Sequence, residues 1–393
     1  DHPEVTLGVS LAVDGNSSGT IKKLQQAVKD FVDKIKPCSL SIHDIWQSFT
    51  TRIMKTLEYP MAATTLTFHE WDQLIMSPLL KAVLPKAGMN QHFPRVVLYG
   101  PTAYQGMGVM HPWFHQELTH LQICLDVLNT HDLLSNLLQA CFESLRLEIG
   151  YPGQITDAPY ETLAEAVTNS WVTTLWQFAQ NFGFSFDDLF PQLMPLREED
   201  QFLMKAFVEI GGYEGHELFM LNTCRMFLHA VTLADISDFS GTQLSADAME
   251  GHPSCQRLTD YSWPRSPPNL SPEFWSLWQN ALIRCFTSHS QPTTLRQPMG
   301  NWLIDPTTKW RWFYRAEDQS LFHHNEHGLW DHYRETIPLR RTRSTDKVFH
   351  VCQANLDAPP IGDLIFASIK RALSYTTTAP AILITHLGDS SYI

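Results

Sequence analysis

Hydrophobic positions along this chain recur with two periods, and they divide it into a helical majority and a few strand-like stretches. Val5, Leu7, Val9 and Leu11 alternate with small or polar residues, as in a half-buried strand, and Asp14-Gly15-Asn16 supplies a turn after them. A single strand cannot bury its face or satisfy its edges, so a pairing partner is expected upstream of Asp1. Ser18 is placed to cap a helix in which Ile21, Leu24, Val28, Phe31, Val32 and Ile35 share one face, with Pro37 ending it. Ser41-x-x-Asp44 and Thr67-x-x-Glu70 read as capping boxes opening two further helices, the third running from about Phe68 to Leu84.

The Gly- and Pro-punctuated residues 93–109 predict a loop, a short extended piece and a second loop. From His111 to about Ser237 the pattern is helical, with Leu118, Leu121, Leu125 and Leu128 on one apolar face and Leu134, Leu137, Leu138, Phe142 and Leu145 on another. The acidic run Glu198-Glu199-Asp200 is placed in the first turn of a helix, where carboxylates favour the positive dipole end. Residues 240–268 read as a polar linker, and Ser271-Pro272-Glu273 starts another helix. Short aromatic strands follow around Trp310–Arg315, Leu321–Phe322 and Leu329–Tyr333, then a helix over 361–373 and a strand ending near Asp389.

The expected architecture is mainly α. It comprises a thumb-like helical unit over 1–110, an acidic helical bundle over 111–290, a small antiparallel β-meander with a basic linker over 291–350, and an α/β remnant over 351–393.

Charge changes this picture when it is divided along the chain. The net charge is −13, yet residues 1–110 hold 10 basic against 9 acidic side chains, residues 111–290 hold 7 against 22, and residues 291–393 hold 11 against 10. The excess acid is central, so only the ends are candidate polyanion surfaces. Lys22, Lys23, Lys29, Lys34 and Lys36 outnumber Asp30 and Asp33 on the polar side of the first helix, which is either a solvated face or a phosphate contact. Arg340, Arg341 and Arg343 form a second electrostatic candidate, or a solvated linker. Aromatics alternating with arginines in the meander suit base stacking or, as the preferred reading, cross-strand packing.

Other chemistry is weakly signalled. Seven scattered cysteines without a Cys-x-x-Cys pair indicate neither a disulfide framework nor a zinc ribbon, and His323, His324, His327 and His332 lack zinc-ligand spacing. Gly106 and Gly108 lack the third glycine of a dinucleotide fingerprint and fit close backbone packing better. Glu148 with Asp157, and His216 with Glu217, have no motif context for acid–base work. No apolar run is long enough to span a membrane and no signal peptide opens the chain, so the expectation is an intracellular protein with no membrane partner.

The block Leu7-Gly-Val-Ser-Leu-Ala-x-Asp-Gly15, then Trp46, Lys55-Thr-Leu-Glu-Tyr-Pro60, Phe93-Pro-Arg95, Tyr99-Gly-Pro101 and Tyr104-Gln-Gly-x-Gly108, resembles the region after the palm in reverse transcriptases of non-LTR-type retroelements. The likeness is to the long open reading frames of diatoms and other algae. Leu145–Gly150, Glu199–Leu203 and Trp310–Tyr314 fit the same group. The resemblance implies a fragment of an RNA-directed DNA polymerase, cut from its palm at one end and within a ribonuclease H-like domain at the other. It implies that Lys22, Lys23, Lys29, Arg52 and Lys55 grip a template–primer or RNA–DNA duplex.

The palm's Asp-Asp pair is absent from this sequence, so catalytic residues and a cofactor are expected only in the parent, with magnesium. Asp389 would be one metal ligand of the truncated ribonuclease H-like domain, with no complete metal set here. The alternative expectation is a helical scaffold, a domesticated remnant whose acidic bundle binds a protein partner.

Overall fold

The computed structural model describes residues 4–6, 9–11, 17–130, 132–183, 185, 193–251, 270–288, 291–305, 312–315, 318, 320–336, 347–358, 364–367, 382–386 and 389–392. The fold is mainly helical with an antiparallel sheet region toward the C-terminus.

Strands β1 (Glu4–Thr6) and β2 (Val9–Leu11) pair with each other antiparallel. The expected single strand is therefore a hairpin with its partner inside the same segment. Helix α1 (Ser18–Ile35) follows, with Leu24, Val28, Phe31 and Ile35 buried along one stripe. Its N-cap is Ser17 rather than Ser18, and the Ser17 hydroxyl meets Thr65 Oγ1 at 3.0 Å instead of capping the helix.

Of the two predicted capping boxes, Thr67–Glu70 forms in full, while at Ser41 only the side-chain cap forms. Ser41 Oγ accepts the Asp44 amide at 3.1 Å and opens α2 (Ile42–Ser48), which runs through a π-helical segment, Phe49–Ile53, into α3 (Met54–Glu58). Thr67 and Glu70 exchange backbone and side-chain bonds of 2.8 and 3.2 Å at the start of α4 (Phe68–Glu70). That helix continues through a second π-helical segment, Trp71–Met76, into α5 (Ser77–Lys86). Phe49, Ile53, Trp71 and Ile75, all buried, put the widened turns against the core.

The stretch read as loop and extended chain is instead α6 (Arg95–Tyr99), a tight 3-10 turn at Thr102–Tyr104 and a returning segment. Met107 N bonds Val97 O at 2.8 Å and Gly108 N bonds Gly100 O at 2.9 Å. A Cβ on Gly106 would lie 2.1 Å from Gly100 O, so only glycine permits this backbone crossing.

The remaining helices are α7 (Pro112–Leu128), α8 (Leu133–Ile149), α9 (Tyr160–Leu163), α10 (Trp171–Phe182), α11 (Leu203–Glu209), α12 (Gly215–Phe227), α13 (Ala246–Glu250) and α14 (Pro272–Phe286). The buried face of α7 differs from the expected one. Leu118 and Leu125 are exposed, while Gln116, Glu117, His120 and Cys124 face inward. The inversion has a polar cause: the Gln116 amide oxygen accepts Thr64 Oγ1 and Trp71 Nε1, both at 2.9 Å, and its nitrogen donates to Leu66 O and Glu117 Oε1. Gln116 is thus fully bonded, and beside it Glu117 Oε2 and His120 Nδ1 face each other at 3.8 Å without a hydrogen bond. On α8, Leu134 and Leu137 are likewise exposed, while Phe142 and Leu145 are buried.

Contacts group the chain into two units, Asp1–Phe142 with Thr168–Phe184, and Glu143–Val167 with Ser185–Ile393. The first unit's core joins α1 to the α2–α3 and α4–α5 helices, with Trp113 and Phe178 packed against it.

The second unit is organised around buried arginines. Arg225 of α12, fully buried, donates to Leu147 O at 2.6 Å, Glu148 O at 2.8 Å and Ala230 O at 2.9 Å, so it caps carbonyls left open at the end of α8. Arg197 donates to Gly300 O and Phe239 O at 2.7 Å each and lies 4.6 Å above the Trp302 ring. The acidic run at 198–200 is a turn and not a helical first turn. Asp200 accepts the amides of Leu196, Gln201 and Ala234, and burial raises its pKa to about 6.

Residues 240–251, read as linker, are ordered by bonds such as Leu244 N to Thr293 O at 2.8 Å and by α13; residues 252–269 lie outside the described residues. Strands β3 (Thr287–Ser288) and β4 (Gln291–Leu295) form a small hairpin after α14.

The three predicted meander strands form as β5 (Trp312–Arg315), β6 (Ser320–His324) and β7 (Trp330–Thr336), each antiparallel to the next, and a fourth strand that was not predicted, β8 (Lys347–Leu356), adds antiparallel to β7. These strands are part of a wider sheet: β9 (Leu364–Ala367) adds antiparallel to β5, β10 (Ile382–His386) adds parallel to β8, and β11 (Asp389–Tyr392) adds antiparallel to β10. The helix expected over 361–373 is thus corrected at Leu364-Ile365-Phe366-Ala367, where apolar residues pair as a strand; their short continuous run does not separate a buried strand from a helix turn.

Candidate nucleic-acid interface

Helix α1 exposes its lysines because its apolar stripe is taken up by the core. With Leu24, Val28, Phe31 and Ile35 buried, Lys22, Lys23, Lys29, Lys34 and Lys36 are left on the exposed surface. Lys22, Lys29 and Lys36 recur every seventh residue, which keeps them on one ridge about 10 Å apart along the axis. Asp33 breaks the ridge locally and lies 3.9 Å from Lys36 Nζ. Lys22 and Lys29 have no ion-pair partner among the described residues.

Two grooves flank α1. On the α5 side, Lys29 and Lys36 face Lys81 across a groove of about 570 Å³. On the α2–α3 side, Lys34 and Arg52 line a smaller one of about 270 Å³ together with Asp30. Lys29 and Arg52 therefore belong to opposite flanks, while Lys55 Nζ is held by Glu58 Oε2 at 2.6 Å. Lys81 was not singled out by sequence patterning, because its place beside Lys29 and Lys36 follows from α1 packing against α5.

The meander treats its cations differently. Arg315 grips Asp318 through Nε and Nη2 at 2.8 and 2.7 Å and covers the Phe322 ring at 4.8 Å, while Arg334 reaches the same carboxylate at 3.2 Å. These arginines hold the Asp318 carboxyl well below its usual range. Phe313, Tyr314, Phe322, Trp330 and Tyr333 are buried, and Trp312 stacks on His323 at 4.5 Å. The aromatic pattern belongs to sheet packing.

Arg340, Arg341 and Arg343 lie outside the described residues. Asp389 opens β11 and pairs with His386 of β10. Among the described residues no group of three or more His, Cys, Asp or Glu is arranged to hold a metal ion. No helix among the described residues is long and apolar enough to cross a membrane.

Comparison with protein-family models, curated proteins and solved structures gives no match for this chain.

One further titratable cluster sits in the first unit. His111 Nδ1 accepts the Trp113 amide at 3.2 Å and caps α7, which leaves the proton of the neutral ring on Nε2, 3.9 Å from Asp72 Oδ1. Phe68 stacks on the ring at 4.7 Å, and burial lowers the His111 pKa to about 4 against the opposing pull of Asp72. Tyr99, edge-on to the same ring, is pushed up to about 12 by burial. These groups anchor the start of α7 to α4 and α6.

Proposed function

We propose that the first unit is a sequence-independent grip on a nucleic-acid backbone, acting as the thumb of a retroelement reverse transcriptase acts, and that the chain carries no polymerase chemistry of its own. The observation that carries this reading is the lysine ridge of α1: Lys22 and Lys29 are exposed, lie on one line, and have no internal anion to neutralise them among the described residues. Surface lysines in a row release counterions when they meet phosphates, which gives affinity without base readout. Lys23 belongs to the same helix and Arg52 to the adjacent flank; Lys55 contributes less because Glu58 holds its charge. The resemblance to the post-palm region of algal retroelements supports the same assignment, with an RNA–DNA or template–primer duplex as the partner and magnesium confined to the parent polymerase.

The competing reading, an acidic protein-binding scaffold, is weakened by where several central acids sit. Asp200, Asp235 and Asp238 accept backbone amides inside the second unit, and Glu117 is fully buried. Carboxylates used this way are not available to a partner.

The test is a salt titration of binding to an RNA–DNA hybrid by the full chain. The grip predicts a steep linear fall of log K with log salt. A flat dependence, or capture of a protein through residues 143–167 and 185–305 with no hybrid binding, would refute it.

A further inference from the structure

The groove between α1 and α5 combines two chemistries that a duplex cannot use together. Its floor is apolar, formed by Val28, Val32, Leu74, Pro78 and Ala82, and its rim carries Lys29, Lys36 and Lys81 against the single carboxylate of Asp33. Lys36 leans toward Asp33 at 3.9 Å, while Lys29 and Lys81 have no ion-pair partner among the described residues. Leu74 keeps 37% of its surface exposed on this floor. The matching occupant is anionic at its edge and apolar in its body.

A paired duplex meets only the first condition, because its bases are stacked on one another and its outer surface is phosphate and sugar. An unpaired nucleotide meets both, with phosphate for the rim and a base face for the floor, and the groove of about 570 Å³ lies in the size range of small-ligand sites. The geometry points to the α1–α5 groove as the seat of an unpaired nucleotide where a duplex gives way to single strand. This rests on the backbone grip proposed above and adds strand state to it: the chain prefers a duplex carrying a single-stranded extension to a blunt one.

The experiment measures anisotropy of the full chain with three labelled RNA–DNA hybrids: blunt, extended by four unpaired nucleotides, and extended by four abasic units that keep the phosphates. The expected order is extended hybrid tightest, by roughly five-fold over blunt, with most of that gain lost on the abasic extension. Ala82→Trp, which fills the floor, is expected to remove the gain while leaving blunt-hybrid affinity unchanged. Lys81→Gln is expected to reduce the gain by about half or more, and circular dichroism checks that both variants remain folded. Equal affinity for blunt and extended hybrids overturns the inference and leaves the grip standing; no binding to any hybrid overturns both. An abasic extension as good as a base-bearing one, a gain that survives Ala82→Trp, or displacement by an acidic peptide with no dependence on bases would each overturn the unpaired-nucleotide assignment.

Discussion

Helix α1 and the interior of the second unit both depend on cations, but they put them to opposite uses. On α1 the ammonium groups of Lys22 and Lys29 stand in solvent with no ion-pair partner among the described residues, whereas Arg197 and Arg225 are buried and donate to backbone carbonyl oxygens. The chemistry of the side chains suits the division. A guanidinium carries five fixed donors and can satisfy several carbonyls at once, while an ammonium on a flexible stem is strongly hydrated and suits an exposed contact with phosphate. Net charge therefore says little by itself: some of the cations are buried within the fold, and others stand exposed on α1.

The largest expected effect breaks the structural side of this comparison. Arg225→Met removes the guanidinium donor from the carbonyls of Leu147 and Ala230, and from that of Glu148, which keeps only Asn222 Nδ2; we expect a loss of roughly 3 kcal/mol in unfolding free energy, read by urea denaturation. A neutral result would mean that water replaces the guanidinium and that the hub is dispensable.

Next in size is the functional side. Lys22→Glu with Lys29→Glu is expected to weaken hybrid binding about ten-fold or more at moderate salt while leaving the melting temperature within a degree or two. A drop in melting temperature of the size seen for Arg225→Met would place these lysines with the structural cations instead. Arg315→Ala should cost about 1 kcal/mol through lost contact with Phe322 and Asp318, with no change in the salt dependence of binding.

The smallest effect separates the two units by pH. His111 in the first unit has its folded pKa lowered to about 4, below the ordinary value of 6.5, so its contribution is fully present above pH 6.5 and is lost as pH falls toward 4. Asp200 in the second unit has its folded pKa raised to about 6 from 3.8, so its contribution is present below about pH 4 and is lost as pH rises through 6. Hydrogen exchange between pH 6.5 and 4 is expected to show protection falling in the first unit relative to the second. His111→Gln and Asp200→Asn should each remove one half of that divergence.

The elements that were legible in the sequence are those fixed by local chemistry. The stripe of α1, the cap at Ser41, the box at Thr67, the meander and the close approach at Gly106 all follow from spacing or from a residue's own conformational limits. The inward face of α7 was not legible, because Gln116 and His120 bond partners from Met61, Thr64 and Trp71, about fifty residues away. Strand β9 was missed for a related reason: four apolar residues take their conformation from the edge of β5. The candidate interface divides in the same way. Exposure of Lys22, Lys23 and Lys29 could be read from the helix period, whereas the place of Lys81 in the groove depends on α1 packing against α5.

The most direct measurement of the central claim compares salt dependence between the wild-type chain and the Lys22→Glu, Lys29→Glu double variant on one RNA–DNA hybrid. Each phosphate contact contributes about 0.9 to the slope of log K against log salt, so the account predicts a slope shallower by about 2 in the variant. An unchanged slope, whatever happened to the affinity, would contradict it.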